Sequence, residues 1–281
     1  IGAGTYTAVV TDENGCSDTV TVEITENEPV AVSEEHSNYA EYGVSCKNET
    51  DGFINLTTNG GTQVYTYDWT DQDGNAVTAN DQGNLENIGA GTYTAVVTDE
   101  NGCSDTVTVE ITEPEIGVEV TEEHSDYTGA GVSCNGQTDG FINLTTIGGT
   151  ETYTYDWTDQ DGNTVTANEQ GNLENIGAGT YTAVVTDENG CSDTVTVEIT
   201  ENELLEISEN TPSLFTNSGV SCNGQTDGFI NLTTTGGTQV YTYDWTDQDG
   251  NTVTANEQGN LENIGAGTYT AVVTDENGCS D

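Results

Sequence analysis

The sequence predicts an all-β protein, a tandem array of Ig-like antiparallel β-sandwich domains. Three observations predict it. The string IGAGTYTAVVTDENGCSD occurs four times, starting at Ile1, Ile88, Ile176 and Ile264. Apolar and polar residues alternate in short runs between Gly-, Asn- and Asp-rich turns, as in half-buried strands. No segment shows the 3.6-residue periodicity of a helix. Short strands separated by turns, without helices, are typical of β-sandwiches.

The copies lie about 88 residues apart, which is too long for a solenoid repeat and suits a small domain with its own core. The boundaries follow the Ile-Thr-Glu motifs at Ile24, Ile111 and Ile199, after which the copies diverge most. We therefore predict the C-terminal part of a preceding repeat at 1–28, repeat 1 at 29–113, repeat 2 at 114–201, and repeat 3 at 202–281, which lacks its last strand.

Within repeat 2 the alternation predicts about seven strands. The segment 113–133 holds the first strand, and later strands are separated by turns such as Asp187-Glu188-Asn189-Gly190, with Asp first and Gly last. Trp157 shares a face with two tyrosines and is expected to be buried, like the core tryptophan of Ig-like sandwiches. The remaining strands are predicted at 141–146 (FINLTT), 153–158 (YTYDWT), 164–167 (TVTA), 180–186 (TYTAVVT) and 194–200 (TVTVEIT).

The charge is extreme, with 50 acidic residues against one basic residue, Lys47, and a formal net charge of −49. Such a chain repels nucleic acid and anionic lipid, because both are bound through Lys and Arg. Low hydrophobicity with high charge also permits disorder, but the fourfold alternation of apolar residues argues for folded domains. High ionic strength or millimolar divalent cation outside a cell would relieve the self-repulsion, and either condition argues against the cytosol.

The chain opens and closes inside copies of one string and contains no Met, so we expect it to be a segment of a longer protein. No apolar run approaches the length of about 18 residues that a membrane helix needs. We expect no membrane insertion within the segment.

Seven cysteines alternate in spacing, and they predict a disulfide framework in an oxidising compartment. Two pairings fit. If four strands separate the cysteines of one repeat, the sulfurs meet, whereas a fifth strand through Leu85 to Ile88 would send them to opposite ends and favour bonds between repeats. We favour the bonds within repeats. These are Cys46–Cys103, Cys134–Cys191 and Cys222–Cys279, and the alternative bonds are Cys16–Cys46, Cys103–Cys134 and Cys191–Cys222.

A D-x-D-G-N motif recurs in each repeat and offers oxygen ligands at alternate positions of a tight turn, the arrangement that Ca²⁺ prefers. It is not an EF-hand, because Gly74 stands at loop position 4 instead of 6. Calcium binding and a plain β-turn, in which Asp and Gly serve backbone geometry alone, both remain open. The candidate ligands are Asp71, Asp73, Asn75, Asp159, Asp161, Asn163, Asp247, Asp249 and Asn251.

The sequence gives little support for catalysis. A hydrolase needs an activated nucleophile or two carboxylates in different environments, and the carboxylates here recur in every repeat on turns or strand surfaces. Zinc is disfavoured because no CxxC motif occurs. We expect a protein that is not an enzyme.

The run CNGQTDGFINLTTTGG at 222–237, VYTYDW at 240–245 and GAGTYTAVVTDENGC at 265–279 resemble the SprB-type repeat of Bacteroidota cell-surface adhesins. The resemblance implies a secreted, surface-attached array used in adhesion or motility, without enzymatic activity. It also implies O-glycosylation at Asp-Thr-aliphatic motifs, which places candidate sugars on Thr19, Thr106 and Thr194.

These observations favour a non-enzymatic structural segment, a stiff stalk of an extracellular adhesin or filament. Its expected partners are neighbouring repeats or copies of itself in a fibre, with surface polysaccharide as a further candidate. The alternative is a multivalent carbohydrate-binding protein that stacks sugars on exposed aromatic side chains. That alternative requires Trp69, Trp157 and Trp245 to be exposed.

Overall fold

The computed structural model describes residues 1–210, 215 and 218–281. In these residues it contains 23 strands, all paired antiparallel, and no helix. The predicted all-β class is confirmed. The described part of the chain holds no helix with the length and hydropathy of a membrane span.

Repeat 1 is a two-layer sandwich of three and four strands. One sheet has the order β3-β4-β7 and the other the order β6-β5-β8-β9. In Ig nomenclature these seven strands are A, B, C, C′, E, F and G in chain order. Their bounds are β3 (Ala31–His36), β4 (Gly52–Asn59), β5 (Tyr65–Thr70), β6 (Ala76–Val77), β7 (Leu85–Ile88), β8 (Gly91–Asp99) and β9 (Ser104–Ile111).

Repeat 2 has the same seven strands in the same order, in sheets β10-β11-β14 and β13-β12-β15-β16. The predicted strands at 141–146, 153–158, 180–186 and 194–200 lie within or across four of them. The observed bounds are β10 (Glu119–His124), β11 (Gly140–Ile147), β12 (Tyr153–Asp159), β13 (Thr164–Val165), β14 (Leu173–Ile176), β15 (Gly179–Asp187) and β16 (Ser192–Ile199).

Among its described residues repeat 3 contains the counterparts of strands A to F, with its B strand divided in two at Asn231, and no strand G. A separate hairpin, β1 (Gly4–Thr11) with β2 (Ser17–Ile24), has the sequence of strands F and G. The strands of repeat 3 are β17 (Glu206–Glu209), β18 (Gly228–Ile230), β19 (Leu232–Thr235), β20 (Thr242–Asp247), β21 (Thr252–Val253), β22 (Leu261–Ile264) and β23 (Tyr269–Thr274).

A tryptophan on strand C forms the centre of each core, because it is the largest apolar side chain between the two sheets. Trp69, Trp157 and Trp245 are only 1–2% exposed. The indole Nε1 of Trp69 donates to the carbonyl oxygen of Gly83 at 2.9 Å, so its polar atom is satisfied inside the core. The expected burial of the tryptophans is confirmed.

A tyrosine at the start of each F strand fixes the corner between strands E and F. The hydroxyl of Tyr93 donates to the carbonyl oxygen of Gly89 at 3.0 Å, and Tyr181 and Tyr269 repeat this bond four residues upstream at the same distance. This tyrosine corner is a hallmark of Ig-like sandwiches. It supports the Ig-like assignment independently of the strand order.

The described chain forms two compact units. The first contains residues 1–117 with the loops 148–151 and 188–191, and the second contains residues 118–147, 152–187 and 192–281. Repeat 1 therefore groups with two loops of repeat 2, while the second unit holds repeat 3 and the rest of repeat 2. The repeat boundaries at 28, 113 and 201 remain predictions from sequence.

Candidate functional site

The loop between strands A and B, here the AB loop, is hydrogen-bonded to the rest of the sandwich in repeats 1 and 2. In repeat 1 it spans residues 37–51. The hydroxyl of the buried Ser37 donates to the carbonyl oxygen of Gly43 at 2.5 Å and accepts from the N–H of Phe53 at 3.0 Å. The N–H of Gly43 donates to the carbonyl oxygen of Thr112 at 2.9 Å, so the AB loop is bonded to the segment that leaves the repeat.

Gly43 must be glycine for this close approach. A Cβ atom there would lie 2.7 Å from Cγ2 of Ile111, which is itself buried. The AB loop therefore packs directly on the end of strand G. The exit of the repeat and its AB loop form one surface.

The turn between strands F and G, here the FG turn, has the sequence Glu-Asn-Gly-Cys and lies at the opposite end. It occupies residues 100–103, 188–191 and 276–279 in the three repeats. In repeat 1, Oδ1 of the buried Asp99 accepts from the N–H groups of Asn101 and Cys103 at 3.0 and 2.8 Å. Asp275 makes the equivalent bonds in repeat 3, so the turn has one shape in both repeats.

Disulfide bonds join AB loops to FG turns. In the first compact unit Cys46 bonds to Cys191, with Cα atoms 5.7 Å apart, and in the second Cys134 bonds to Cys279 at 5.6 Å. Each bond joins the AB loop of one repeat to the FG turn of the following repeat. Both span 145 residues.

An asparagine of the FG turn reinforces each disulfide. Nδ2 of Asn189 donates to the carbonyl oxygens of Tyr39 and Ser45, each at 3.2 Å. In the second unit Asn277 donates to Tyr127 and Ser133 at 3.1 and 3.2 Å, and its Oδ1 accepts from the hydroxyl of Thr128 at 3.0 Å. We call each contact of an AB loop with the FG turn of the following repeat a joint. The joint at Cys46–Cys191 and the joint at Cys134–Cys279 therefore have equivalent hydrogen bonds as well as equivalent disulfides.

The segment linking successive repeats also contacts the AB loop. The N–H of Asn48 donates to Oε2 of Glu113 at 2.6 Å, and Nζ of Lys47 donates to the carbonyl oxygen of Glu115. In the second unit Nδ2 of Asn135, which replaces Lys47 in the repeat, donates to the carbonyl oxygen of Asn202 at 2.9 Å. Lys47, the only lysine in a chain without arginine, thus donates to the segment that links repeats 1 and 2.

Both predicted pairings of the cysteines are wrong. Five strands, β4 to β8, lie between Cys46 and Cys103, since the strand at Leu85–Ile88 is present. An odd number of antiparallel strands sends the chain to the opposite end of the sandwich, so the predicted bonds Cys46–Cys103, Cys134–Cys191 and Cys222–Cys279 do not form. The predicted bonds Cys16–Cys46, Cys103–Cys134 and Cys191–Cys222 are not formed either. Cys16, Cys103 and Cys222 are exposed thiols in the structure as described.

The asparagines of the joint were not singled out from the sequence. Two features of the sequence together would have identified them: the strand at Leu85–Ile88, and the identical sequence Glu-Asn-Gly-Cys in every FG turn. An odd strand count requires a partner outside the repeat, and the side chain two positions before the cysteine then reaches the same partner.

The candidate calcium turns are ordered by their own hydrogen bonds. Oδ1 of Asp71 accepts from the N–H groups of Asp73 and Asn75 at 2.9 and 2.8 Å, and Oδ2 accepts from Nδ2 of Asn75 at 3.0 Å. The Asn75 side chain and backbone N–H keep the pKa of Asp71 below its usual value. The same bonds recur at Asp159 with Asp161 and Asn163, and at Asp247 with Asp249 and Asn251.

This geometry explains the motif as an Asx-type turn. Across the described residues, no three His, Cys, Asp or Glu side chains are grouped to hold a metal ion. Calcium binding at the turns is untested by this geometry and stays a prediction.

The candidate glycosylation threonines lie on strand G and its equivalent β2. Thr19, Thr106 and Thr194 are exposed. The neighbouring Asp105 has a structural role, because its Oδ2 accepts from the N–H of Val32 on strand A at 2.9 Å. This bond and the N–H of Thr106 hold the pKa of Asp105 below its usual value.

Three segments of the chain match the family model described as the SprB repeat: residues 44–74, 131–162 and 215–250. One match falls in each predicted repeat and together they cover about a third of the chain, from the AB loop to the D-x-D-G turn. The predicted resemblance is confirmed. A comparison with curated protein sequences found no match.

Solved structures of adhesion and Ig proteins are similar at low identity. A tetra-tandem repeat from the extending region of a large adhesion protein is 19% identical, covering 98% of this chain and 78% of its own, with a TM-score of 0.26. The N-terminal eight Ig domains of Down Syndrome Cell Adhesion Molecule are 14% identical (96% and 49% covered, TM-score 0.27). The insect immune protein hemolin is 12% identical (99% and 94% covered, TM-score 0.30). With such TM-scores, the fold assignment rests on the strand pairing itself.

Peptide mapping tests the pairing. Digestion of the oxidised chain at Asp and Glu, without reduction, is expected to release linked peptides carrying Cys46 with Cys191 and Cys134 with Cys279. A maleimide should label three thiols before reduction and seven after it. Recovery of a Cys46–Cys103 peptide would contradict the structure.

Substitution of the joint asparagine tests its contribution. Asn277→Ala is expected to lower the free energy of unfolding by about 1–2 kcal/mol, because two backbone carbonyl bonds and one hydroxyl bond are lost. Asn101→Ala is the matched control, since the same turn in repeat 1 docks on no AB loop in the described chain. Equal effects in urea unfolding would mean that Asn277 acts only within its own turn.

Proposed function

Since the chain carries SprB repeats, we propose that it is a non-enzymatic structural segment of an extracellular surface adhesin, in which stapled Ig-like repeats form an extended stalk. The observation that carries the proposal is the joint: the same disulfide and the same asparagine bonds occur in both compact units. A protein that only needed separate binding domains would gain nothing from covalent bonds between successive repeats.

The extracellular location is supported by the chemistry of these bonds and by the charge. Structural disulfides persist in oxidising compartments. A net charge of −49 repels neighbouring repeats, and this repulsion favours an extended arrangement over a collapsed one. Neighbouring repeats are the proposed partners, with copies of the same chain as partners in a fibre.

Stacking of polysaccharide on tryptophan is not part of the proposed function. The indole rings that the carbohydrate alternative requires are buried in the three cores. Acrylamide should therefore quench their fluorescence weakly.

Solution scattering tests the stalk. A compact chain of 281 residues has a radius of gyration of about 19 Å, and we expect the oxidised chain in brine to give about twice that value. The control is the reduced, folded chain, whose curve separates the effect of the disulfides from that of the linkers. A radius of gyration near the compact value would exclude a stalk.

We further propose that the D-x-D-G-N turns take up Ca²⁺ from a saline medium, since Asp73, Asp161 and Asp249 leave their carboxylates exposed beside the ordered turns. Thermal unfolding with calcium or with chelator tests this. Calcium should raise the midpoint, and the variant Asp73→Ala, Asp161→Ala, Asp249→Ala should abolish the increase. An unchanged midpoint in the unmodified chain would remove calcium from the proposal.

The exposed threonines of the Asp-Thr-Val motifs, Thr19, Thr106 and Thr194, are proposed O-glycosylation sites. Their side chains lie on exposed strand positions that a glycan can occupy without disturbing the core.

A further inference from the structure

We infer that the two disulfides limit how far the chain can lengthen under tension, so that unfolding of its domains releases only a fraction of the contour length. The limit itself follows from which cysteines are bonded. Only its biological use rests on the proposed stalk function.

The two disulfide loops overlap. One bond closes the chain from Cys46 to Cys191 and the other from Cys134 to Cys279. The segment 134–191, which contains strands β11 to β15, therefore belongs to both loops. An arrangement of separate loops, such as the predicted bonds within repeats, has no shared segment.

The overlap defines the shortest covalent path between the ends. A pulled chain is taut along residues 1–46, crosses the first disulfide to Cys191, runs backwards to Cys134, and crosses the second disulfide to Cys279. This path contains only about 105 residues, which reach roughly 37 nm when fully extended. Without disulfides the same chain reaches roughly 98 nm.

The two bonds do not act additively. Either disulfide alone leaves a path of about 136 residues and a limit of roughly 48 nm. The second bond shortens the limiting extension by only about 11 nm more, because the covalent path between the two bonds has to run through the segment 134–191, which both loops contain. Two separate loops would instead remove similar lengths one after the other.

Each disulfide lies at the contact between successive repeats, where a pulling force is transmitted from one repeat to the next. The AB loop that carries Cys46 is hydrogen-bonded to Thr112 at the exit of repeat 1, and Asn48 and Lys47 bond to the linker at Glu113 and Glu115. Tension in the linker therefore reaches the AB loop and its disulfide before the sandwich has to unfold. The disulfide runs alongside the linker as a second connection.

We expect a small reductant to reach the Cys134–Cys279 bond, since both cysteines are partly exposed. The Cys134–Cys279 disulfide lines an open cleft of about 300 Å³ together with Asn135, Gln137 and Glu203. The tether limit is thus expected to disappear in a reducing medium, which would convert the chain to its long form.

Single-molecule force spectroscopy tests the inference on the full chain, held at its two ends by handles that do not use thiols. We expect the oxidised chain to reach a limiting extension of roughly 37 nm and the reduced chain roughly 98 nm. The paired variants Cys46→Ser with Cys191→Ser, and Cys134→Ser with Cys279→Ser, should each reach roughly 48 nm. Cys103→Ser is the matched control and should behave like the unmodified oxidised chain.

Each outcome decides. An oxidised chain that extends well beyond 50 nm overturns the inference, as do paired variants that match the unmodified chain. A lengthening produced by Cys103→Ser would show that a different bond carries the limit. Failure of the stalk is measured separately, because a compact radius of gyration in solution leaves the limiting extension of a pulled chain unchanged.

Discussion

Repeats 1 and 2 each hold the AB loop and the FG turn at opposite ends of the sandwich, and the disulfide bonds between repeats depend on this separation. Five strands connect the two cysteines of repeat 1, and an odd count prevents them from meeting. The AB loop shares its end with the exit of the repeat, through the bond between Gly43 and Thr112. At that end the AB loop of repeat 1 contacts the FG turn of the following repeat, through Cys191 and Asn189. A disulfide that cannot close inside a domain thus joins domains.

The acidic composition imposes a second constraint, because almost no cationic side chain is available to neutralise the carboxylates. The structure uses N–H donors in their place. Asp71, Asp99 and Asp105 each accept two or more such bonds, so their charge orders turns and joins strand A to strand G. Other carboxylates, such as those of Asp73, Asp161 and Asp249, belong to exposed residues, where salt or cations screen them.

The tyrosine corner, the buried tryptophan and the Asx-type turns recur in each repeat at equivalent positions, and each makes its contacts inside one sandwich. The joint is different, because it needs residues from two repeats at once. Asn189 and Asn277 occupy FG turns of identical sequence. The Nδ2 group of each donates to carbonyl oxygens of the AB loop of the preceding repeat, so these bonds require that loop. Because each repeat sequence contains both an AB loop and an FG turn, repetition of one sequence supplies both sides of the contact between successive repeats.

The sequence by itself determined the repeats, the strand positions, the burial of Trp157 and the resemblance to the SprB repeat, because alternation and turn residues act over a few neighbours. It also contained the strand at Leu85–Ile88 that excludes Cys46–Cys103. Only the tertiary structure decided that Cys46 bonds to Cys191 and Cys134 to Cys279. That choice depends on which end of each sandwich meets the next repeat, and identical cysteines in identical repeats carry no local signal for a contact 145 residues away.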